Sequence, residues 1–336
     1  MSTATHVPET SQFSREQLSA DDARATLSHV GTRRLLTDAF SRLRYGDGFS
    51  STRALAFQFV LSLIPLLIAF VGLSSTIQAE KLAKALRQTV LSITPGGSTD
   101  AFKQVLTKGL AEGGGGGRVA LYLGLVAALV SLTTAMAQIE RGANRIYGIQ
   151  RDRSSGRKYG RAALLVVTGG IPAMLGFVVI VAGGALVESL QSAYGWGDTT
   201  GTVLSWLRWP AGVLLGMVAV TAIFRRAPRR HQPAMSWLAV GAAVALVLWL
   251  LLSAALAFYV SHSSSFGTVY GPLTGIIALL IWSQLTSLAL FFGVAFSAQL
   301  EAVRAGVPSP VALDPEAAPG ARTEQTVVLK PAQARR

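Results

Sequence analysis

Few side chains in this chain could do chemistry, and most of those few sit inside apolar runs. Gln58, Ser62 and Pro65 lie in ALAFQFVLSLIPLLIAFVGLSSTI, and Gln138 closes VALYLGLVAALVSLTTAMAQI. Arg208 interrupts VLSWLRWPAGVLLGMVAVTAIF, and Gln284 and Ser287 stand at i and i+3 in LTGIIALLIWSQLTSLALFFGVAFSAQL. Polar groups are costly at that depth unless they bond across a helix interface or face a polar path. Ala54, Gln58, Ser62, Pro65, Ala69 and Gly72 fall on one helical stripe. Gly124, Ala128, Ser131, Ala135 and Gln138 form a second. Two readings stay open for these stripes: a close-packed seam between helices, or the lining of a cavity.

Arg208 has Trp206 and Trp209 beside it and Trp196 nearby, as at a membrane interface. It could snorkel to headgroups, hold an anionic headgroup or substrate, or pair with Glu188 or Asp198. In QIERGANRIYGI, Glu140 and Asn144 are spaced i, i+4, as are Arg141 and Arg145. This stretch is either a solvated helix end or a polar cluster organising one mouth of a bundle. Pro65, Pro172 and Pro210 each remove a helical hydrogen bond inside an apolar run, which predicts kinks.

Catalytic constellations do not emerge. His6, His29, His231 and His262 share no ligand spacing, and the chain has no cysteine. No acid pair lies within an apolar run. Walker, dinucleotide, HExxH and GxSxG patterns are missing from the sequence. The expectation is a protein that is not an enzyme, with no catalytic residues, bound metal or cofactor.

The elements that hold these residues are membrane spans. Only 14% of the 336 residues are charged, and the mean hydropathy is +0.45. Six stretches reach the roughly 20 apolar residues a span needs: residues 54–77, 119–139, 162–190, 203–224, 236–260 and 273–300. Lys and Arg concentrate before the first stretch, between the second and third, between the fourth and fifth, and after the sixth; residues 191–202 and 261–272 have none. That alternation, broken only by residues 78–117 with five Lys and Arg against three acids, puts both termini in the cytoplasm. It also explains a net charge of +13 without a nucleic-acid-binding face. The fold class is therefore an all-α polytopic membrane protein with six transmembrane helices and cytoplasmic termini.

Three regions fall outside the six-span domain, 32–304, or at its edges. Residues 1–31 and 305–336 read as disordered cytoplasmic ends. Residues 32–45, TRRLLTDAFSRLRY, put Leu36, Phe40 and Leu43 on one helical face, as in a helix lying on an anionic leaflet. Residues 78–112 carry two helical periods around TPGG and predict a helical hairpin in the first outer loop. The run Gly113–Gly117 follows as a flexible joint, either a tether or a hinge.

In three places the sequence resembles the YihY/virulence factor BrkB family of bacterial inner-membrane proteins. ALAFQFVLSLIPLL is similar to that family's ALAYYxLLSLxPLL pattern, and NRIYGI to its NRIYG signature. The last third matches in order, with PAMSW leading into the fifth span, Tyr270 and Gly271 before the sixth, and GVAFSAQL closing it. Departures are Phe57 and Gln58 where tyrosines are common, and Ala295 and Ser297 in place of a Glu and an Asn. The resemblance implies six spans in the bacterial plasma membrane. Its old label, ribonuclease BN, finds no metal-binding carboxylates or acid–base pair here.

The functional expectation is a transporter or lipid-handling membrane protein, with a non-transporting envelope scaffold as the alternative. Its partners would be membrane lipids and a membrane-protein partner or a second copy of itself, not nucleic acid. The residues expected to line a cavity or polar path are Gln58, Ser62, Pro65, Gln138, Asn144, Arg208, Gln284 and Ser287.

Overall fold

The computed structural model describes residues 6–9, 18–76, 116–149, 155–181, 198–262 and 274–307, with isolated positions between 183 and 191. The expected hairpin 78–112 lies outside these residues, as do Trp196, Glu188 and the tail from 308. Among the described residues the regular structure is helical. In chain order come α1 (Ala20–Val30), α2 (Thr32–Tyr45), α3 (Gly48–Thr76), α4 (Gly116–Ile146), α5 (Ser155–Leu165), a π turn (Val166–Gly170) and α6 (Ile171–Val181). They are followed by α7 (Asp198–Arg226), α8 (Met235–His262) and α9 (Thr274–Arg304).

Five helical stretches among the described residues are long and apolar enough to cross a membrane: Leu121–Ile146, Gly156–Gly176, Thr200–Arg226, Met235–His262 and Gly275–Arg304. The first expected span lies in α3, a 29-residue helix. Several helices overrun their apolar stretches by one or two turns at the end where Lys and Arg gather. That end of the bundle is called the basic end below, and the opposite one the far end.

The helices close in a ring. α3 packs on α4 and α9, α9 on α8, α8 on α7, and α7 on α6. α4 meets the third span through α5 and the π turn. Small residues set the tightest approach, as expected where lipid offers no hydrophobic drive between helices. A Cβ on Gly124 of α4 would stand 2.7 Å from Ala69 Cα of α3.

The packing is uneven along the axis. On α8 the buried residues are Trp237, Leu238, Gly241, Ala242 and Ala245, all in its first half. From Leu246 to His262 no α8 residue is buried, and none is on α7 from Thr202 to Ala211. The core therefore gathers at the basic end.

Three expectations change here. Residues 18–31, expected to be disordered, are ordered, and α1 fills most of them. Asp22 accepts from Ser19 N at 2.9 Å, which caps the helix start, and α1 docks on α8 and α9. The helix at 32–45 has the expected bounds, but Leu43 leaves the face expected to meet the leaflet and joins the bundle core. Leu35, Ala39, Arg42 and Leu43 are buried, while Leu36 and Phe40 are exposed, because α2 packs against the end of α9. The third span is not one α-helix. Ile171 N–H reaches back five residues to Val166 O, so a wide turn takes up the backbone irregularity next to Pro172. α3 and α7 run helical through Pro65 and Pro210.

Candidate functional site: a buried polar network at the basic end

The end of α4 explains the NRIYG stretch residue by residue. Asn144 is fully buried. Its carbonyl accepts Ile149 N at 2.8 Å, and its side-chain oxygen accepts Arg229 N at 2.7 Å. Arg145 pairs with Asp47 in the turn before α3. Ile146 packs against Gly46, where a Cβ would stand 2.9 Å from Ile146 Cα. Gly148 takes φ 73°, a left-handed exit from the helix that glycine makes at no steric cost.

Tyr147 lies at the centre. The Arg230 guanidinium stacks over its ring at 4.7 Å, and its hydroxyl donates to Gln232 Oε1 at 3.3 Å. Arg230 and Glu301 of α9 form an ion pair at 2.5 Å, with side-chain exposures of 3% and 1%. Arg230 also donates to the carbonyls of Val7, at 2.9 Å, and Pro8, at 3.2 Å. Val7 N donates to Tyr147 O at 3.2 Å. The segment His6–Glu9 is thus strapped across the end of the bundle, with the Val7 side chain buried.

Arg42 comes in from α2 and donates Nε to Gln299 Oε1 at 3.0 Å. Burial pulls its guanidinium down to about 10, against upward pushes from Tyr147 and Asp38. Burial pushes the Tyr147 phenol up, and the neighbouring Glu301 carboxylate adds to that. Neither group titrates near neutral pH. Chemically the network is a tie: charge-assisted bonds join the N-terminal strap, α2, α4, the α7–α8 turn and α9.

Elsewhere Gln58 donates Nε2 to Ser131 O of α4 at 3.2 Å, and Ser62 donates to Gln58 O at 2.8 Å. Ser62 and Pro65 are buried along the same α3–α4 seam. Gln138 of α4 and Gln284 of α9 are half-buried. Ser287 is fully buried, and its hydroxyl has no hydrogen-bond partner among the described residues. Trp249 donates to Thr286 Oγ at 3.2 Å and Trp282 to Ser253 Oγ at 3.1 Å, lacing α8 to α9. Arg208 is partly buried near the far end, with its side chain across Gly183 and Gly184. The eight residues expected to act together are therefore distributed between the seam, α9, the polar network and the far end.

The match to known sequences runs through most of this framework: residues 39–316 fit the profile of the family described as virulence factor BrkB. The chain belongs to that family. Like its relatives named UPF0761 membrane proteins, this BrkB-family chain is a membrane protein. It is 24% identical over 258 residues to one from Xanthomonas campestris (strain B100), covering 76% of this chain and 58% of the relative. It is 26% identical over 247 residues to one from Vibrio campbellii, covering 73% and 75%. A Bacillus subtilis protein carrying the name ribonuclease-like protein YfkH is 25% identical over 267 residues, covering 79% and 94%. The chain thus spans little more than half of the Xanthomonas protein. No solved structure matches it.

Sequence reasoning found Asn144 but missed Arg42, Tyr147, Arg230, Gln232, Gln299 and Glu301. In the sequence Arg42 reads only as part of a helix on the leaflet, and Arg230 only as basic charge between the fourth and fifth stretches. The signal for Arg42 was its spacing from Leu35 and Ala39, which puts it on the buried stripe of α2. The BrkB-family departures in the closing run fall where α8 and α9 are closest. Ala295 and Ser297 are buried, and a Cβ on Gly241 would collide with Ser297 Oγ. A small residue at 297 suits that approach.

Proposed function

We propose that this BrkB-family chain is a six-span protein of the bacterial plasma membrane, with both termini cytoplasmic, and that it moves or handles a lipid or small solute. α3 supplies the remaining span, since its charge-free stretch from Ala54 to Thr76 exceeds the roughly 20 residues required. The positive-inside rule then puts the basic end in the cytoplasm and the 78–112 segment outside.

The observation that carries the reading is the axial asymmetry. The basic end is tied shut by buried charges, whereas α7 and α8 have long unburied stretches toward the far end. Such a bundle supports access from the outer leaflet and closure toward the cytoplasm. No covalent chemistry is invoked. Among the described residues no group of three His, Cys, Asp or Glu could hold a metal; of their two fully buried carboxylates, Glu140 and Glu301, Glu301 is paired with Arg230. Proteoliposomes containing the purified chain and a fluorescent phospholipid or trapped solutes test it. Faster lipid or solute movement than in protein-free vesicles is expected, and no movement of any would overturn the reading. RNA cleaved by the pure chain with Mg²⁺ or Zn²⁺ would overturn it from the other side.

A scaffold role is the second reading. It is favoured by the exposed face of α4, where Tyr122, Leu123, Val126 and Val130 are uncovered. In-membrane crosslinking that captured a stable partner on this face, together with inactive proteoliposomes, would favour it.

A further inference from the structure

Arg208 is a cation set about 8 Å below the first apolar residue of its span, Val203, taking the rise of an α-helix. Its Nε is buried without a hydrogen-bond partner, and no carboxylate among the described residues pairs with it. Its side chain does not stand free. Its Cδ lies 3.4 Å from where a Cβ on Gly183 would be, and a Cβ on Gly184 would collide with Nη1. The two glycines thus leave a notch in the third span that the guanidinium occupies. On the lipid side Trp206 and Trp209 are 76% and 46% exposed, and the guanidinium lies 5.6 Å from the Trp209 ring centroid.

Among the described residues no carboxylate supplies the counter-charge that would offset the desolvation of this guanidinium. It presents N–H donors in a planar fork that matches phosphate oxygens. Flanking indoles at a membrane interface put that fork at headgroup depth. We infer that Arg208, held in the Gly183–Gly184 notch, forms a binding site for a phosphate group, carried by a lipid headgroup or by a soluble phosphate. This deepens the proposed function, and it rests on that reading's assignment of the far end to the outer leaflet.

Binding can be measured apart from transport. The full chain in detergent is titrated with dioleoylphosphatidylglycerol, with dioleoylglycerol as the phosphate-free control, and adducts are counted by native mass spectrometry. The expected result is phosphatidylglycerol binding that weakens about tenfold in R208Q, the scale of one charge-assisted hydrogen bond. G184A should weaken it similarly, because its methyl displaces the guanidinium while alanine favours the helix. G183A, which meets only an ordinary contact, should bind as the parent does. Melting temperatures of G184A at or above the parent's would show that the loss is local. Undiminished binding in G184A would mean a freely snorkelling arginine and would overturn the site. Tighter binding in E188Q or D198N would mean an existing carboxylate partner and would also overturn it. Equal binding of dioleoylglycerol would remove the phosphate. Displacement of the lipid by inorganic phosphate supports a phosphate site with a soluble occupant, and its failure supports the lipid headgroup. Inactive proteoliposomes with intact Arg208-dependent binding would sink the transport reading and leave the site standing.

Discussion

Arg230 satisfies four partners with one guanidinium: the Glu301 carboxylate and the carbonyls of Val7, Pro8 and His231. Removing one member of such a buried pair leaves a desolvated charge behind. Glu301→Gln should therefore cost about 3–5 kcal/mol, read as a lower melting temperature in detergent. Replacing both members, as Arg230→Met with Glu301→Leu, should recover most of that stability, because an apolar pair needs no counter-charge. The double variant should still lose the strap, because methionine cannot donate to Val7 O and Pro8 O. Faster amide exchange at Val7 than in the parent would show it. Gln58 is a smaller case. Its amide bonds a carbonyl of the neighbouring helix, so Gln58→Leu should cost only about 0.6 kcal/mol, the average for such bonds in membranes.

Helix by helix, stability turns on backbone approach. Gly124→Ala pushes a methyl to 2.7 Å from Ala69 Cα. Backbone cannot swing aside, so the variant should lose about 1–3 kcal/mol. Gly160, on α5, has nothing within 4 Å of its would-be Cβ. Gly160→Ala should gain about 0.5–1 kcal/mol from helix propensity alone. Opposite shifts in melting temperature for the two alanines are the expected outcome. α1 depends on its cap. Hydrogen bonds from the Ser19 amide and hydroxyl hold the Asp22 carboxyl below its usual value, with a smaller pull from Arg304. A lowered folded-state value means stability that is present above about pH 4, the unfolded carboxylate range, and lost as pH falls through the folded value. The protection of α1 amides, taken relative to the intrinsic exchange rate at each pH, should fall on acidification into that range, and Asp22→Asn should lose this pH dependence.

For the molecule as a whole, the proposed topology predicts one-sided access. The chain has no cysteine, so single cysteines report cleanly. Ser28→Cys and Gly306→Cys should react with an impermeant maleimide only after the cytoplasmic side is exposed. His262→Cys should react from the outside in intact cells. Outside labelling at 28 or 306 would invert the topology.

The sequence by itself determined the helical class, the apolar stretches and the side on which basic charge gathers. Each follows from composition and period, which are local properties. The Gln58 stripe and the Gly124 stripe were legible for the same reason: a 3.6-residue repeat shows which residues share a face. What a face meets is not local. Arg42 reads as a solvated arginine until α9 brings Gln299 within 3.0 Å. Val7 reads as part of a polar tail until Tyr147 and Arg230 give its backbone partners. Gly183 and Gly184 are two small residues among many until Arg208, from the next span, fills the space they leave. Only the tertiary structure decided these, because a buried charge depends on partners that lie far away in the sequence.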